Sequence, residues 1–475
     1  MQNGNIDVHC HFFNISFAFA EVLEIGWRWI HGNYPYKSDE QVRLIALKLK
    51  IIPPELRKLA HYVASYFAAA TESPEEHYEY EQRCCRISQW HPSQPLITVP
   101  LMMDIFFMFD NGETEQERAL MLTLPEVLQR DALDAMRVTA DNEGFFDEFA
   151  QVMKAEFIPV YEKRASARDL APALSAKYMT DISHDLELVI ADFKVQHADE
   201  GVRTMAKSCK ETNVQMTRGY RKHLEELLLQ QESPAGTVLP FLAVDPRRVG
   251  IEELVKEQVV DGAFKGVKLY PPLGYLPSHP NLYPVYRLCM KHNIPITVHT
   301  STGGLLSLCD TIQTRSQNIK GEIVHITFDK KTDTSAALFF AKPVKWLEIL
   351  ENPEFSRLHL NFAHFGGEEH IIKLANQKPD EPDDPGNWTG QIIGLMARFS
   401  NVYADISYCP NNGMLNYIKA IVKRFPIVQQ RLMFGTDYIM VMKESGLCGD
   451  LDNYFNHYTG IYTEMKSVNP EAFLG

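Results

Sequence analysis

Two histidines stand two positions apart near the start of the sequence, in the stretch IDVHCHFFN over residues 6–14. The apolar run before them predicts a β-strand, on which alternate side chains point the same way. His9 and His11 would therefore project together, while Cys10 points to the opposite face. Two neutral imidazoles on one side of a strand end are half of a metal site. A chain with 17 histidines in 475 residues contains about 0.6 such pairs by chance, so the interpretation requires further ligands.

Short apolar runs bounded by turn residues predict the strands that would carry those ligands. They lie at residues 5–9, 95–104, 237–245, 264–270, 294–300, 357–365, 401–407 and 431–437. Their nearly continuous apolar character favours parallel strands covered on both faces. Helical patterns separate them, so the sequence predicts an α/β fold, a (β/α)8 TIM barrel with its chemistry at the carboxyl ends of the strands.

The first three predicted strands are separated by far more chain than a crossover helix needs. Residues 12–94 and 105–236 are mostly helical in pattern, with the amphipathic runs QVRLIALKLKII, PPELRKLAHYVASYFAAA, TDISHDLELVIADFKVQHA and QMTRGYRKHLEELLLQQ. We expect one barrel domain over residues 1–475, with these two segments as helical insertions after strands one and two that form a cap. A separate helical domain with its own partner is the alternative.

Side chains that can bind metal recur at the predicted carboxyl ends of the strands. They are His9 and His11 on the first strand, Lys268 on the fourth, His299 on the fifth, His364 on the sixth and Asp437 on the eighth. Each alone could be an ordinary polar or turn residue. Their recurrence at one rim predicts a functional site there.

In these segments the sequence resembles the amidohydrolase superfamily, and more closely its amidohydrolase-2 branch of hydrolases, lactonases and non-oxidative decarboxylases. The likeness is carried, in order, by DVHCH at 7–11, VLPFLAVDPR at 238–247, GAFKGVKLYPP at 262–272, IPITVHTSTGG at 294–304, LNFAHFGG at 360–367, NVYADIS at 401–407 and RLMFGTDY at 431–438. It covers the first dozen residues and then residues 237–440, but not the helical insertions.

The resemblance implies that His9, His11 and Asp437 hold one divalent metal, commonly zinc. In two-metal members of the superfamily, the residues that match His299 and His364 hold the second ion. In one-metal members His299 joins the first ion and His364 serves in acid–base chemistry. Whether one or two ions bind stays open at this point.

Lys268 matches a lysine that two-metal members carboxylate to a bridging carbamate, and its KLYP context is similar to that of dihydroorotases in the superfamily. An ammonium group beside a divalent metal is repulsive. Lys268 must therefore lose its charge, become a carbamate, or turn toward Asp437 or an anionic substrate. A salt bridge at the rim is the structural alternative.

The leading hypothesis is a metal-dependent hydrolase in which activated water attacks an amide, lactone or ester carbonyl. Asp437 would take the proton from the water and pass it to the leaving group, and His364 or a second metal would stabilise the oxyanion. One alternative is a one-metal decarboxylase of an aromatic or unsaturated carboxylic acid, a lyase in which His364 handles a proton. Another is a catalytically inactive metal-binding scaffold whose insertions bind a protein.

Candidate substrate contacts also follow the strand ends. Those able to donate hydrogen bonds are Tyr270, Thr300, Ser301 and Tyr438, and Arg247 or Arg248 would meet a carboxylate if their loop turned inward. Each also has an ordinary structural explanation. We expect a small-molecule substrate, with homo-oligomerisation left open.

Composition argues against several classes of partner. The net charge is −14, from 47 basic and 61 acidic residues, and no basic block is long enough to bind phosphates, which argues against nucleic acid and anionic membranes. The most apolar early stretch, residues 12–30, is interrupted by charges and lacks the features of a signal peptide. Eight cysteines without a framework spacing are typical of reduced thiols, so we expect a cytoplasmic protein.

Overall fold

The computed structural model is a mixed α/β protein in which strands and helices alternate along much of the chain. It describes residues 5–12, 14–30, 54–66, 74–88, 90, 95–108, 141–167, 176–177, 179–194, 216–231, 237–309, 311–318, 320–333, 335–378, 381–382, 384–411, 413–445 and 450–475. The chain forms two compact units. The first comprises residues 1–13, 72–104 and 224–475, and the second comprises residues 14–71 and 105–223.

Each of the eight predicted apolar runs contains or overlaps a strand of the first unit. These strands are β1 (Ile6–Cys10), β2 (Ile97–Pro100), β3 (Phe241–Val244), β4 (Gly266–Leu269), β5 (Ile296–His299), β8 (Leu360–Ala363), β9 (Val402–Asp405) and β10 (Leu432–Met433). From β3 onward all of their residues are buried, because elements cover both faces. The predicted parallel strands are confirmed.

The eight strands form two parallel sheets. One pairs β1 with β2, and the other has six strands in the order β10-β9-β8-β5-β4-β3. Several backbone hydrogen bonds link their edges. At one edge Thr98 N–H donates to Thr237 O at 2.8 Å and Met102 N–H donates to Phe241 O at 3.0 Å, and at the other Val8 N–H donates to Phe434 O and Thr436 N–H donates to His9 O, both at 3.1 Å. The links at the first edge form isolated bridges rather than a continuous ladder, β10 has only two residues, and the register between β1 and β2 shifts between Asp7 and Cys10. A parallel α/β sheet is therefore present, whereas the predicted closed barrel is not assigned.

An antiparallel hairpin was missed by the sequence analysis. Strands β6 (Thr311–Gln317) and β7 (Ile323–Asp329) pair with each other and with no other described strand. The signal was present as two β-branched runs that flank a turn with Gly321 at φ 83°. At its base, Ile312 and Phe328 pack with Phe340 in a small apolar cluster.

Helices connect and cover the strands. Their bounds in the first unit are Pro74–Ile87, Ile251–Val255, Leu282–His292, Ala336–Phe340, Leu347–Glu351, Glu368–Asn376, Trp388–Arg398, Met414–Arg424, Tyr438–Ser445, Asp450–His457 and Asn469–Leu474. Among the described helices, none combines the length and the apolar character needed to cross a membrane.

The second unit is helical where it is described. Its helices are Ile15–Ile30, Pro54–Tyr66 and Asp141–Ala167, residues 179–194 are also helical, and Arg218–Gln231 continues from this unit into the first. The buried Glu21 carboxylate accepts hydrogen bonds from Thr217 Oγ1 at 2.5 Å and from the Tyr220 amide at 2.9 Å, which caps the last of these helices. Three of the four quoted helical runs are thus helices, and QVRLIALKLKII lies outside the described residues. The cap remains a prediction.

Helix Pro74–Ile87 belongs to the first unit, although it falls within the predicted insertion over residues 12–94. In the sequence it lies between the parallel strands β1 and β2, where a crossover helix is required. Gln82 fixes it to the start of β2, because its amide donates to Leu96 O at 2.8 Å and accepts from Leu96 N at 2.9 Å.

Substitution of Phe241 tests how much the packing of the strand core stabilises the protein. This side chain is fully buried in β3 and packs in a cluster that includes Val8, Val99 and Met433. We expect Phe241→Ala to lower the free energy of unfolding by about 3–5 kcal/mol, because it removes apolar contacts and leaves a cavity. Leu229→Ala, at a residue 65% exposed on a helix, should change it by less than about 0.5 kcal/mol. Denaturant titration measures both, and equal losses would contradict the assignment of the core.

Candidate metal centre

Two overlapping groups of buried side chains can hold a metal ion. One is His9, His11 and Asp437, and the other is His9, His364 and Asp405. Within each group the ligand atoms lie within 4.8 Å of one another. These residues sit at the carboxyl ends of β1, β8, β9 and β10, the rim that the sequence predicts.

The hydrogen bond of His11 determines which of its ring nitrogens carries the proton. His11 Nδ1 lies 2.7 Å from the carbonyl oxygen of Leu101, which only accepts hydrogen bonds, so Nδ1 carries the proton. The lone pair is then on Nε2, which lies 3.4 Å from Asp437 Oδ1. Two acceptors therefore face each other in a buried place. This arrangement is unfavourable unless a proton or a cation lies between them.

His9 is oriented by residues at the end of β9. Its Nδ1 lies 3.3 Å from Asp405 Oδ2 and 2.9 Å from Ser407 Oγ, which leaves Nε2 for a ligand. Asp405 also accepts from Asn361 Nδ2 at 2.7 Å and from Ser407 Oγ at 2.5 Å. Burial by itself would raise the pKa of Asp405, but the adjacent imidazoles of His9 and His364 and the hydrogen bonds that it accepts hold it well below its usual value. The group is a carboxylate that fixes an imidazole, a common arrangement behind metal ligands.

His299 and His364 contact each other directly. His299 Nε2 lies 3.0 Å from Gly303 O, so the proton is on Nε2 and the lone pair is on Nδ1. That Nδ1 lies 3.1 Å from His364 Nε2. Burial and the neighbouring His9 lower the pKa of His364 to about 3, and burial with His364 keeps the pKa of His299 well below its usual value. Both rings are neutral, as metal ligands must be.

Lys268 lies near the end of β4 with its side chain buried. Its Nζ has no hydrogen-bond partner among the residues that the structure describes, and it lies 5.9 Å from the centre of the Tyr270 ring. Burial lowers the pKa of the amine to about 8, against the charges of Asp405 and Asp437, which raise it. A solitary buried amine of this kind is costly unless it is neutral or modified.

Backbone strain is concentrated at the same rim. The residues that follow β8, β9 and β10 include His364, Tyr408 and Asp437, whose backbone φ angles are 65°, 52° and 49°. Residues other than glycine seldom adopt such angles. Local hydrogen bonds hold two of them. Asp437 N–H donates to His9 O at 2.7 Å, and His364 N–H donates to Asp405 Oδ1 at 3.1 Å. Strain that the surroundings maintain in this way is typical of functional sites.

Gly435 allows β10 to approach β1. A Cβ atom placed there would lie 2.8 Å from His9 Cβ and 3.1 Å from Ser407 Cβ, which is closer than van der Waals contact permits. The absence of a side chain at Gly435 therefore brings Asp437 within reach of His9 and His11.

The donor set fits a divalent metal. Acceptor atoms converge in a buried place, neutral imidazoles and carboxylates are ligands that zinc accepts, and the facing pair of His11 and Asp437 requires a positive species between its atoms. Asp437 adds to this case, because burial raises its pKa well above the usual value and only a cation would restore its charge.

The four predicted substrate-contact residues differ in burial and in their hydrogen-bond partners, and their roles remain predictions. The Tyr270 ring stacks on His299 with centroids 4.2 Å apart, and its hydroxyl accepts from Leu305 N at 2.9 Å. Thr300 is buried and donates to Val298 O. Ser301 is partly exposed and accepts from Gly303 N. The Tyr438 side chain is buried, and its hydroxyl lies 2.6 Å from His77 Nδ1.

The two candidate arginines are paired inside the protein. Arg247 binds both oxygens of Asp245, with the shorter contact at 2.6 Å, and Arg248 binds Asp104 Oδ2 through Nε and Nη2 at 3.0 and 2.6 Å. All four side chains are buried. An incoming carboxylate would have to compete with these pairs.

Asp405 and Ser407 are site residues that the sequence analysis did not single out. They belong to the run NVYADIS, and the available signal was a polar pair, two residues apart, at the end of the seventh predicted strand. Their contacts with His9 and His364 place them beside the predicted ligands.

In this α/β protein, histidines and carboxylates lie together at the carboxyl ends of parallel strands. Proteins with this arrangement usually bind divalent metals. A comparison with models of protein families identifies the family within this class. The amidohydrolase family model, of the amidohydrolase-2 branch, matches residues 190–449, which is more than half of the chain, so the chain belongs to this family. The family contains hydrolases and decarboxylases. No curated protein matches the sequence significantly.

The matched range includes four of the six predicted metal ligands but not the two on β1. His9 and His11 precede residue 190, so their place in the centre rests on the structure. The amidohydrolase resemblance proposed from the sequence is confirmed.

Ser407 offers a test of how the ligands are oriented. Its hydroxyl lies 2.9 Å from Nδ1 of both His9 and His364. We expect Ser407→Ala to weaken zinc binding by about tenfold to a hundredfold, because two imidazoles lose a fixed orientation. Competition with a chelator measures the affinity. Ser467→Ala, which removes a solvent-exposed hydrogen bond to Thr463 O, is the control, and an equal affinity in the two variants would refute the role of Ser407.

Proposed function

We propose that the protein is a metal-dependent hydrolase that attacks an amide, lactone or ester carbonyl, with zinc as the metal. The observation that carries this proposal is the 3.4 Å contact between His11 Nε2 and Asp437 Oδ1, two buried acceptors that a cation would hold together. The family membership supports it, because hydrolases are among the members.

The number of donors favours two ions over one. A zinc site needs about four ligands, and the centre offers His9, His11, His364 and Asp437 besides the Lys268 amine, while Asp405 is engaged in hydrogen bonds that orient His9. Nδ1 of His299 adds a further acceptor 3.1 Å from His364 Nε2. Carboxylation of Lys268 would turn a solitary amine into an anionic bridging ligand, and two-metal chemistry is typical of the hydrolases that the sequence resembles.

Lys268 is suited to carboxylation. The neutral amine nitrogen bonds to the carbon of CO2, and the proton that it loses goes to solvent. With a pKa of about 8, about one amine in ten is neutral at pH 7, far more than for an ordinary lysine. The surrounding carboxylates disfavour the added negative charge, so a bound metal would be needed to retain the carbamate.

The roles of the protein groups follow from their places. A metal held by His9, His11 and Asp437 would lower the pKa of water and polarise the substrate carbonyl. Asp437 would accept the proton from the water and deliver it to the leaving group, since burial raises the pKa of its carboxyl group well above the usual value and makes it a stronger base. His364 would donate a hydrogen bond to the developing oxyanion if it does not bind an ion.

The alternative is a one-metal decarboxylase of an aromatic or unsaturated acid. It is favoured by the contact of His364 Nε2 with His299 Nδ1, which a proton on His364 would satisfy without a second ion. In that case His364 would be the group that handles a proton during cleavage of the carbon–carbon bond.

We further propose that the two parallel sheets belong to one (β/α)8 barrel. The support is the cyclic order of the eight strands, in which β2 is linked to β3 and β1 is linked to the segment after β10 by backbone hydrogen bonds. A barrel accounts for the convergence of four strand ends on one centre.

The metal content of Lys268→Ala distinguishes the two reactions. We expect about two zinc ions per chain in the protein purified without chelators, and one or none in Lys268→Ala, because the variant cannot form the bridging carbamate. Reconstitution with zinc and bicarbonate should go further at pH 9 than at pH 6, since only the neutral amine of Lys268 reacts. Elemental analysis gives both results.

Lys256→Ala removes an exposed lysine nearby in the sequence and should keep the full metal content. A single ion that is unaffected by Lys268→Ala would favour the decarboxylase. A protein that binds no ion would contradict both reactions.

Asp437→Asn tests the proton transfer. The amide keeps an oxygen for the metal but cannot accept and release a proton at neutral pH, so kcat should fall by about a hundredfold to ten-thousandfold. The assay is turnover of an amide or lactone substrate found by screening, with metal content measured on the same samples. Unchanged turnover in a variant that retains its metal would show that Asp437 does not carry the proton.

A further inference from the structure

Helix Pro74–Ile87 lies outside the range matched to the amidohydrolase family, yet it directs two buried polar side chains toward the metal centre. His77 and Glu81 are four positions apart and therefore share one face of the helix. They are 2% and 0% exposed. Burial of two titratable side chains on one face is costly, so each requires a partner.

The partner of His77 is Tyr438, the residue after the predicted ligand Asp437. The Tyr438 hydroxyl lies 2.6 Å from His77 Nδ1, and the His77 ring is stacked on Phe12 with centroids 6.3 Å apart. Asp437 has a left-handed φ of 49°, and on its other side its amide is fixed by His9 O. The bond from Tyr438 to His77 thus restrains Asp437 from the side that the His9 contact does not reach.

Glu81 lies on the same buried face of the helix, and no donor among the described residues reaches either of its oxygens. Burial, with the charge of Asp7, raises the pKa of its carboxyl group. Asp7 accepts from the amides of His9 and Thr436 at 2.9 and 3.1 Å and from Thr436 Oγ1 at 2.6 Å, which joins residues 7–9 to residues 436–438.

We propose that helix Pro74–Ile87 is an outer support of the metal centre, in which His77 positions Asp437 through Tyr438. The inference rests on the proposed function, because it presumes a metal at His9, His11 and Asp437. The contact reaches the segment 436–438, which Asp7 joins to residues 7–9. His77 is a positioning residue, since it is not among the candidate ligands.

Zinc affinity of the metal-free protein, measured by competition with a chelator, tests this support. His77→Phe keeps the stacking on Phe12 but loses the bond to Tyr438. We expect it to raise the Kd for zinc by about tenfold to a hundredfold. His77→Asn keeps a hydrogen-bonding group, so it should restore the Kd to within about threefold of the wild-type value.

The pair of His77 and Tyr438 also allows a double-mutant cycle. Tyr438→Phe removes the same hydrogen bond from the other side, so the double variant with His77→Phe should bind zinc no more weakly than His77→Phe alone. Additive losses would overturn the proposal for this pair.

Glu79→Leu is the matched control, because Glu79 lies on the exposed face of the same helix. It should leave the Kd unchanged. Melting temperatures of the metal-free variants separate structure from positioning. A lower melting temperature with an unchanged zinc Kd in His77→Phe would mean that the helix is merely structural. Failure of the wild-type protein to bind zinc would contradict the proposed function itself.

Discussion

The buried contact between His11 Nε2 and Asp437 Oδ1 is the constraint on which the rest of the centre depends. Leu101 O fixes the proton of His11 on Nδ1, so the atoms that face each other at 3.4 Å both have lone pairs. In water such a pair would separate, but here the strands hold it in place. Unless a proton or a cation lies between these atoms, the folded chain carries an unfavourable interaction, and binding of a metal there would add its free energy to the stability of the fold.

The backbone provides the rigidity that this contact requires. Asp437 is held in a left-handed conformation by a hydrogen bond to His9 O, and Asp7 joins the amides of His9 and Thr436 through one carboxylate. Gly435 removes the side chain that would keep β10 away from β1. Strain, close approach and buried charge therefore act on the same few residues. A site that is pre-organised in this way binds its ion without a further cost of ordering.

Much of this arrangement was predictable because strand ends are local features of the sequence. Apolar runs located the eight strands, and the polar residue after each run gave His299, His364 and Asp437. Asp405 was missed because a carboxylate on a strand has no local mark that distinguishes a ligand or its support from a turn residue. Helix Pro74–Ile87 was included in an insertion because only tertiary contacts, such as those of Gln82 with Leu96, show where it packs. Closure of a barrel likewise depends on tertiary pairing that no single segment encodes.

The choice between hydrolysis and decarboxylation is connected to the position of one proton. If His364 carries it on Nε2, that group donates to His299 Nδ1, and the contact of 3.1 Å is satisfied without a second ion. If the proton is on His364 Nδ1, where Ser407 O lies 3.3 Å away, two lone pairs face each other as they do at His11 and Asp437. A second cation then becomes favourable, but it also needs a bridging anion to offset its repulsion of the first. Lys268 is buried near these groups without a hydrogen-bond partner among the described residues, and its carboxylation would supply that anion. The tautomer of His364 and the state of Lys268 should therefore change together.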